Sequence, residues 1–239
     1  MPVSAPGPRL ALLHSPLIGP TTWRGVAAEL AARGHAVEAA AWPRLSTIDE
    51  GYYAALADSL AASLADRAEP LVLAAHSGAG ALVPALAARL PRPPAAVIFV
   101  DAILPHPGRS WFSTAPEGMP DQLRAGAQFG ELPRWSEWWP PGALERLVPD
   151  DGLRGAVLDE LEPLPLSYFE ERAPATTWDG PTAYLQLSGA YDSESQVASR
   201  SGWPLVRLPL HHLAMLTDPV SVAVALESLA ARLAEPAHG

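Results

Sequence analysis

Ser77 stands in the run Ala75-His76-Ser77-Gly78-Ala79-Gly80, directly after the apolar stretch Leu71-Val72-Leu73-Ala74 and directly before an Ala-rich stretch of helical character. A serine on a strained strand-to-helix turn has its hydroxyl exposed, and the turn closes only when the residues two before and two after it are small. Ala75 and Ala79 meet that need, and Gly78 and Gly80 add room. A helix starting at the serine also aims its first N–H groups and its positive dipole end at developing negative charge, which makes the Gly78 N–H the expected donor to an oxyanion. The competing structural reading is a plain strand-to-helix turn with Ser77 as its N-cap.

A nucleophilic serine needs a base, and the base needs an orienting acid. His212 in Leu210-His211-His212-Leu213 and Asp192 in Leu187-Ser188-Gly189-Ala190-Tyr191-Asp192 each follow an apolar run, in the chain order Ser, Asp, His. The expected set is therefore Ser77 as nucleophile, His212 as general base and Asp192 as orienting acid. Asp101 also ends an apolar run, and some hydrolases draw the acid from that position. Asp192 is preferred because the usual topology places the acid after the later strand. His211 is expected at the rim. His14, His35, His76 and His106 have neither metal-ligand spacing nor a carboxylate cluster beside them. They read as hydrogen-bonded loop histidines, and neither metal nor organic cofactor is expected.

These residues need a scaffold that brings strand ends together. Leu10–Leu13, Ala36–Ala41, Leu71–Ala74, Ala96–Val100, Thr182–Leu187 and Pro204–Leu208 read as six strands, several of them continuous apolar runs suited to burial on both faces. Between them lie helical patterns: one capped by Thr22 with Trp23, Val26, Ala27 and Leu30 on its apolar face and Gly34 as its stop, Tyr53–Arg67, Ala79–Leu90, a short segment around Ser195–Arg200, and Val220–Leu233. This alternation predicts an α/β fold with a mainly parallel sheet of about six strands covered by helices on both faces. Residues 1–104 and 181–239 form the expected core. Residues 105–180, rich in Pro and aromatics, break the rhythm and are expected to form a helical cap inserted after the fourth strand.

Composition narrows the function. The net charge of -10 and the absence of a basic stripe argue against nucleic acid as a partner. The chain has no Cys, which removes disulfides, thiolate metal sites and Cys nucleophiles. No apolar stretch is long enough to span a bilayer, and the N-terminus lacks the pattern of a signal peptide. A cytoplasmic monomer or homodimer is the resulting expectation. Trp111, Trp135 and Trp138 in the insertion favour an apolar or aromatic small-molecule substrate over a sugar or phosphate ester.

The chain resembles the α/β-hydrolase superfamily over nearly its whole length, and within it the small methylesterase and hydroxynitrile lyase group. Leu12-Leu13-His14-Ser15-Pro16 is similar to that group's strand ending in His-Gly-x, Ala75–Gly80 to its Gly-His-Ser-x-Gly-Gly, and His212-Leu213-Ala214-Met215-Leu216 to its His-Met-Ala-Met-Leu. The resemblance implies a six-stranded sheet, Ser77, Asp192 and His212 as the triad, and a cap over an apolar pocket in which Pro16 would touch substrate. It also exposes a departure. The group's second oxyanion donor is a backbone N–H at the position of Pro16, and proline has none. Losing one such donor costs about 2.7–4 kcal/mol of transition-state stabilisation, so Ser15 or the Leu17 N–H is expected to substitute. The lyases carry a hydroxyl residue at the position of Ser15 and a Lys after the histidine, where this chain has Leu213. The expected activity is ester or thioester hydrolysis, with lyase, cyclisation or elimination chemistry on the same residues as the alternative.

Overall fold

A computed structural model describes residues 7–65 and 69–234. The N-terminal residues 1–6 and the last part of the helix expected to reach Arg67 lie outside the described residues. In chain order the first half comprises β1 (Arg9–Leu13), α1 (Thr21–Ala32), β2 (Val37–Ala40), α2 (Tyr52–Leu64), β3 (Leu71–His76), a 3-10 turn (Ser77–Leu82), α3 (Val83–Ala87) and β4 (Ala96–Val100). The insertion follows with α4 (Met119–Gly126), β5 (Glu131–Leu132), α5 (Ala143–Leu147), α6 (Asp151–Leu158), β6 (Leu164–Pro165) and α7 (Leu166–Glu170). The chain closes with β7 (Thr182–Gln186), α8 (Asp192–Arg200), β8 (Leu205–Arg207), α9 (Ala214–Thr217) and α10 (Pro219–Ala234).

The main sheet has six strands in the order β2-β1-β3-β4-β7-β8, every pairing parallel. Its central strands are apolar on both faces because both faces are covered, as a parallel sheet requires. Leu73, Ala75, Val97 and Phe99 point into one core with α2, α3 and the insertion. Val72, Ala74, Ile98 and Val100 point into the other with Trp23, Val26 and Leu30 of α1 and Val222, Leu226 and Leu229 of α10. Among the described residues no helix is long and apolar enough to cross a membrane.

Two helix expectations need correction. The stretch Ala79–Leu90 is not one α-helix but a 3-10 turn followed by the five-residue α3. Pro84 is the cause: it lacks an N–H and clashes with the preceding turn, yet is well suited to the first positions of a new helix. Thr22 does not cap α1, which begins at Thr21 and has no local side-chain cap. The helix borrows one from the insertion, since the Glu160 carboxylate accepts from the Thr21 N–H at 3.1 Å and its hydroxyl at 2.7 Å. Glu171 likewise accepts from the N–H groups of Tyr52 and Tyr53 at 2.8 and 3.0 Å, where α2 starts after a left-handed Gly51 that offers no side chain. Glu162 accepts from the Ser46 N–H and hydroxyl. Three glutamates of the insertion thus satisfy N–H groups that the core elements leave open.

Candidate active site

Ser77 closes the turn after β3 with φ 55°, a left-handed conformation that costs a non-glycine residue energy and persists only where packing enforces it. The neighbours show how it is enforced. Ala75 and Ala79 are fully buried, and a Cβ on Gly80 would come within 2.0 Å of the Ile103 carbonyl oxygen. Sheet order then places the other loops. β1 lies on one side of β3, and β4, β7 and β8 lie on the other. The loop carrying Ser15, Pro16 and Leu17 therefore flanks Ser77 from one direction, and Asp101, Asp192 and His212 approach from the opposite one.

Ser77 and His212, paired in the sequence by chain order and by their places after apolar runs, come together with His212 Nε2 3.1 Å from Ser77 Oγ. The acid is different. His212 Nδ1 lies 2.8 Å from Asp101 Oδ2, so the carboxylate bonded to His212 is Asp101 and not Asp192. Asp192 is the first residue of α8, where a carboxylate favours the helix N-terminus, and its Oδ1 accepts from the Gln186 amide. Gln186 is in turn held by the Arg207 guanidinium at 3.0 Å. That network ties β7, β8 and α8 together and leaves Asp192 no bond to His212.

Asp101 is built to remain charged while buried. It is fully inaccessible, sits at φ 42°, and accepts from the N–H groups of Leu187 and Ser188, each at 2.9 Å, and from the Ser188 hydroxyl at 2.7 Å, besides His212. Burial alone would push its carboxyl up. The hydrogen bond and charge of His212, with the bonds from Ser188 and Leu187, outweigh that and hold it below the usual carboxylate range. The Tyr184 hydroxyl braces the same turn, accepting from the Ala102 N–H at 3.0 Å and donating to the Ala102 carbonyl at 2.8 Å. With Asp101 accepting, His212 donates from Nδ1, and its Nε2 is left to accept the Ser77 proton.

His76, directly before the serine, is buried and lies against His212 with ring centroids 4.5 Å apart and planes tilted by 33°. Its Nε2 donates to the His212 carbonyl at 3.0 Å, and its buried Nδ1 has no partner. Burial and the charge of His212 keep its pKa well below the ordinary histidine value. His211 points away and pairs through Nε2 with Thr217 Oγ1 at 2.9 Å. Among the described residues no group of three His, Cys, Asp or Glu side chains is placed to hold a metal ion.

The β1 loop answers the Pro16 question in part. Ser15 is buried, and its Oγ lies 3.1 Å from where a Cβ on Gly78 would sit, with Pro16 Cδ at 3.6 Å from the same point. A Cβ at position 78 would therefore crowd the Ser15 hydroxyl. The Leu17 N–H, expected as an alternative oxyanion donor, instead donates to Ser15 Oγ at 3.3 Å and is occupied within its own loop. Ser15 accepts that bond through its oxygen, which leaves its own proton available to donate.

The expected substrate-contacting tryptophans separate. Trp135 is buried beside the site, its ring centroid 6.5 Å from that of His212. Trp111 and Trp138 instead pack on Phe169 within the insertion, at 5.3 and 5.7 Å, and the Trp138 indole N–H donates to the Pro133 carbonyl. Both are half-buried and pack against the aromatic core of the insertion. One site residue was missed from the sequence. Tyr191 stacks on His212 at 5.1 Å and 17°, and its hydroxyl lies 3.3 Å from Ser77 Oγ. Its adjacency to Asp192 is the only signal in the sequence.

No family model matches this chain, and no curated protein matches it. Solved structures do. An extracellular α/β-hydrolase from a Paenibacillus species, described as sharing structural and functional homology with tobacco salicylic acid binding protein 2, superposes with a TM-score of 0.73 at 18% identity, covering 93% of this chain and 98% of that one. A pyrethroid hydrolase from Sphingobium faniae JZ-2 gives 0.69 at 20% identity over 94% and 97% of the two chains. Tomato methylketone synthase I, as a variant complexed with β-ketoheptanoate, gives 0.65 at 14% over 95% and 99%. The parallel six-stranded sheet with Ser77 at its central turn, and its likeness to these structures, give the chain the α/β-hydrolase fold.

Proposed function

We propose that the protein is a serine hydrolase acting on an ester or thioester of a small to medium apolar acid. The observation that carries this reading is the unbroken hydrogen-bonded chain from Ser77 through His212 to the buried Asp101. Ser77 Oγ attacks the acyl carbon as its proton passes to His212 Nε2. Asp101 holds the imidazole with Nε2 free and stabilises the imidazolium that forms. The oxyanion meets the Gly78 N–H and the Ser15 hydroxyl. His212 then returns its proton to the leaving oxygen, and water repeats the sequence to free the acid. Trp135 above His212 and the aromatic insertion, acting as a cap, favour an apolar or aromatic acyl group. The names of neighbours on this fold, pyrethroid hydrolase and polyneuridine aldehyde esterase among them, are consistent with ester chemistry.

The test is a panel of chromogenic short-chain esters with a fluorophosphonate probe. Wild type turns over esters and is labelled, and Ser77→Ala abolishes both. A wild type that does neither refutes the reading. Pro16 and Ser15 favour a second reading, elimination or lyase chemistry with Ser77 and His212 as acid–base groups. Mass spectrometry during turnover separates the two, because only hydrolysis passes through an acyl-Ser77 adduct.

A further inference from the structure

Tyr191 occupies a position that the relay from Ser77 to Asp101 does not account for. It closes the 3-10 turn after β7 (Gly189–Tyr191), its ring is stacked face to face on His212, and its hydroxyl is 3.3 Å from Ser77 Oγ. The donor in that contact follows from proton counting. His212 Nδ1–H donates to the Asp101 carboxylate, so Nε2 must accept from Ser77. Ser77 has one hydroxyl proton and it is directed at His212, so the Tyr191 hydroxyl donates to Ser77 Oγ. Burial, the largest influence on this phenol, pushes its pKa above the ordinary tyrosine value, so it keeps its proton throughout.

Once Ser77 Oγ bonds to an acyl carbon, it becomes a poor acceptor and the Tyr191 proton needs a new partner. Sheet order says which one. In the reading above the oxyanion meets Gly78, just after β3, and Ser15 of the β1 loop that faces it, whereas Tyr191 and His212 leave β7 and β8 on the opposite side of β3. The substrate oxygen on that side is the one His212 protonates.

We propose that the Tyr191 hydroxyl is a further catalytic group, a hydrogen-bond donor to the alkoxy oxygen of the departing alcohol. The proposal rests on the serine-hydrolase reading above. In the step, the Ser77 Oγ–acyl bond forms and the acyl–alkoxy bond breaks. The proton that left Ser77 travels on His212 to the alkoxy oxygen, and Tyr191 stabilises the negative charge developing on that oxygen without giving up its own proton. In deacylation the same hydroxyl orients the attacking water.

The experiment is Tyr191→Phe, which keeps the ring on His212 and removes only the hydroxyl. It is assayed by kcat/KM on esters of one acyl chain with alcohols of rising basicity: p-nitrophenol, phenol, trifluoroethanol and methanol. Active sites are counted with the fluorophosphonate probe. A good leaving group needs little help, so the p-nitrophenyl ester is hydrolysed at near wild-type rate while the methyl ester slows by about tenfold, the worth of one hydrogen bond to developing charge. A labelled Tyr191→Phe enzyme that loses the same factor on every ester, or loses nothing, overturns the proposal and leaves the hydrolase reading standing. A wild type that is neither labelled nor active overturns both.

Discussion

Replacing Asp101 by Asn keeps the side chain's shape and removes its charge. The Oδ1 position still accepts from the Leu187 and Ser188 N–H groups, but an amide at the Oδ2 position presents N–H to His212 Nδ1. The imidazole must then accept at Nδ1 and carry its proton on Nε2, where it faces Ser77 and cannot act as a base. The charge effect adds to this. With charge centres about 4 Å apart and an effective dielectric of about 20, the pairing of carboxylate with imidazolium is worth about 4 kcal/mol, or about three decades in rate. Together the two effects predict a loss of about 10³–10⁴ in kcat/KM, in line with the loss of a charged acid in serine triads generally. Asp192→Asn changes only a bond to Gln186 at the start of α8, so its kcat/KM stays within about threefold of wild type and its cost is a small loss of stability. The assay is hydrolysis of a p-nitrophenyl ester by both variants, normalised to circular dichroism as a check of folding. A collapse in Asp192→Asn with Asp101→Asn nearly unaffected would refute the assignment.

Two further outcomes follow from burial. His14, His76 and His106 are buried and desolvation lowers the pKa of each, so they fold as neutral rings. Below about pH 6.5 the unfolded chain takes up protons that the folded chain refuses. Stability is therefore complete above that value and falls as the pH drops below it, by up to about 1.4 kcal/mol per pH unit for each histidine until its folded pKa is reached. Asp101, depressed in the fold, adds a loss of the same sign only at lower pH, below the ordinary carboxylate value. Urea midpoints from pH 8 to 5 test this, and a flat profile through the histidine range would count against neutral burial. Glu171→Ala removes the acceptor for two N–H groups at the start of α2 and should cost about 1–2 kcal/mol, read as a melting temperature lower by about 2–8 °C. An unchanged melting temperature would mean that water caps that helix equally well.

The residues that carry local requirements were readable without coordinates. Ser77 could be singled out because its backbone strain demands small neighbours, and those neighbours are written beside it as Ala75, Gly78, Ala79 and Gly80. The strands were readable because burial on both faces leaves a continuous apolar run, as in Leu71–His76. The tertiary structure decided which groups meet across elements. Asp101 and Asp192 follow β4 and β7, neighbouring strands of one sheet, so either satisfies the chain order and only the reach to His212 Nδ1 separates them. Leu17 donates within its own loop, Trp111 and Trp138 pack on Phe169, Tyr191 lies over His212, and the glutamates of the insertion cap core helices more than a hundred residues away in sequence. Backbone strain and burial periodicity are properties of a few consecutive residues, and so the sequence by itself determined the α/β core, the Ser77 turn and the position of His212. A hydrogen bond depends on fractions of an ångström between side chains that no local pattern constrains, and so the acid, the hydroxyls around the serine and the fastening of the insertion were decided only in three dimensions.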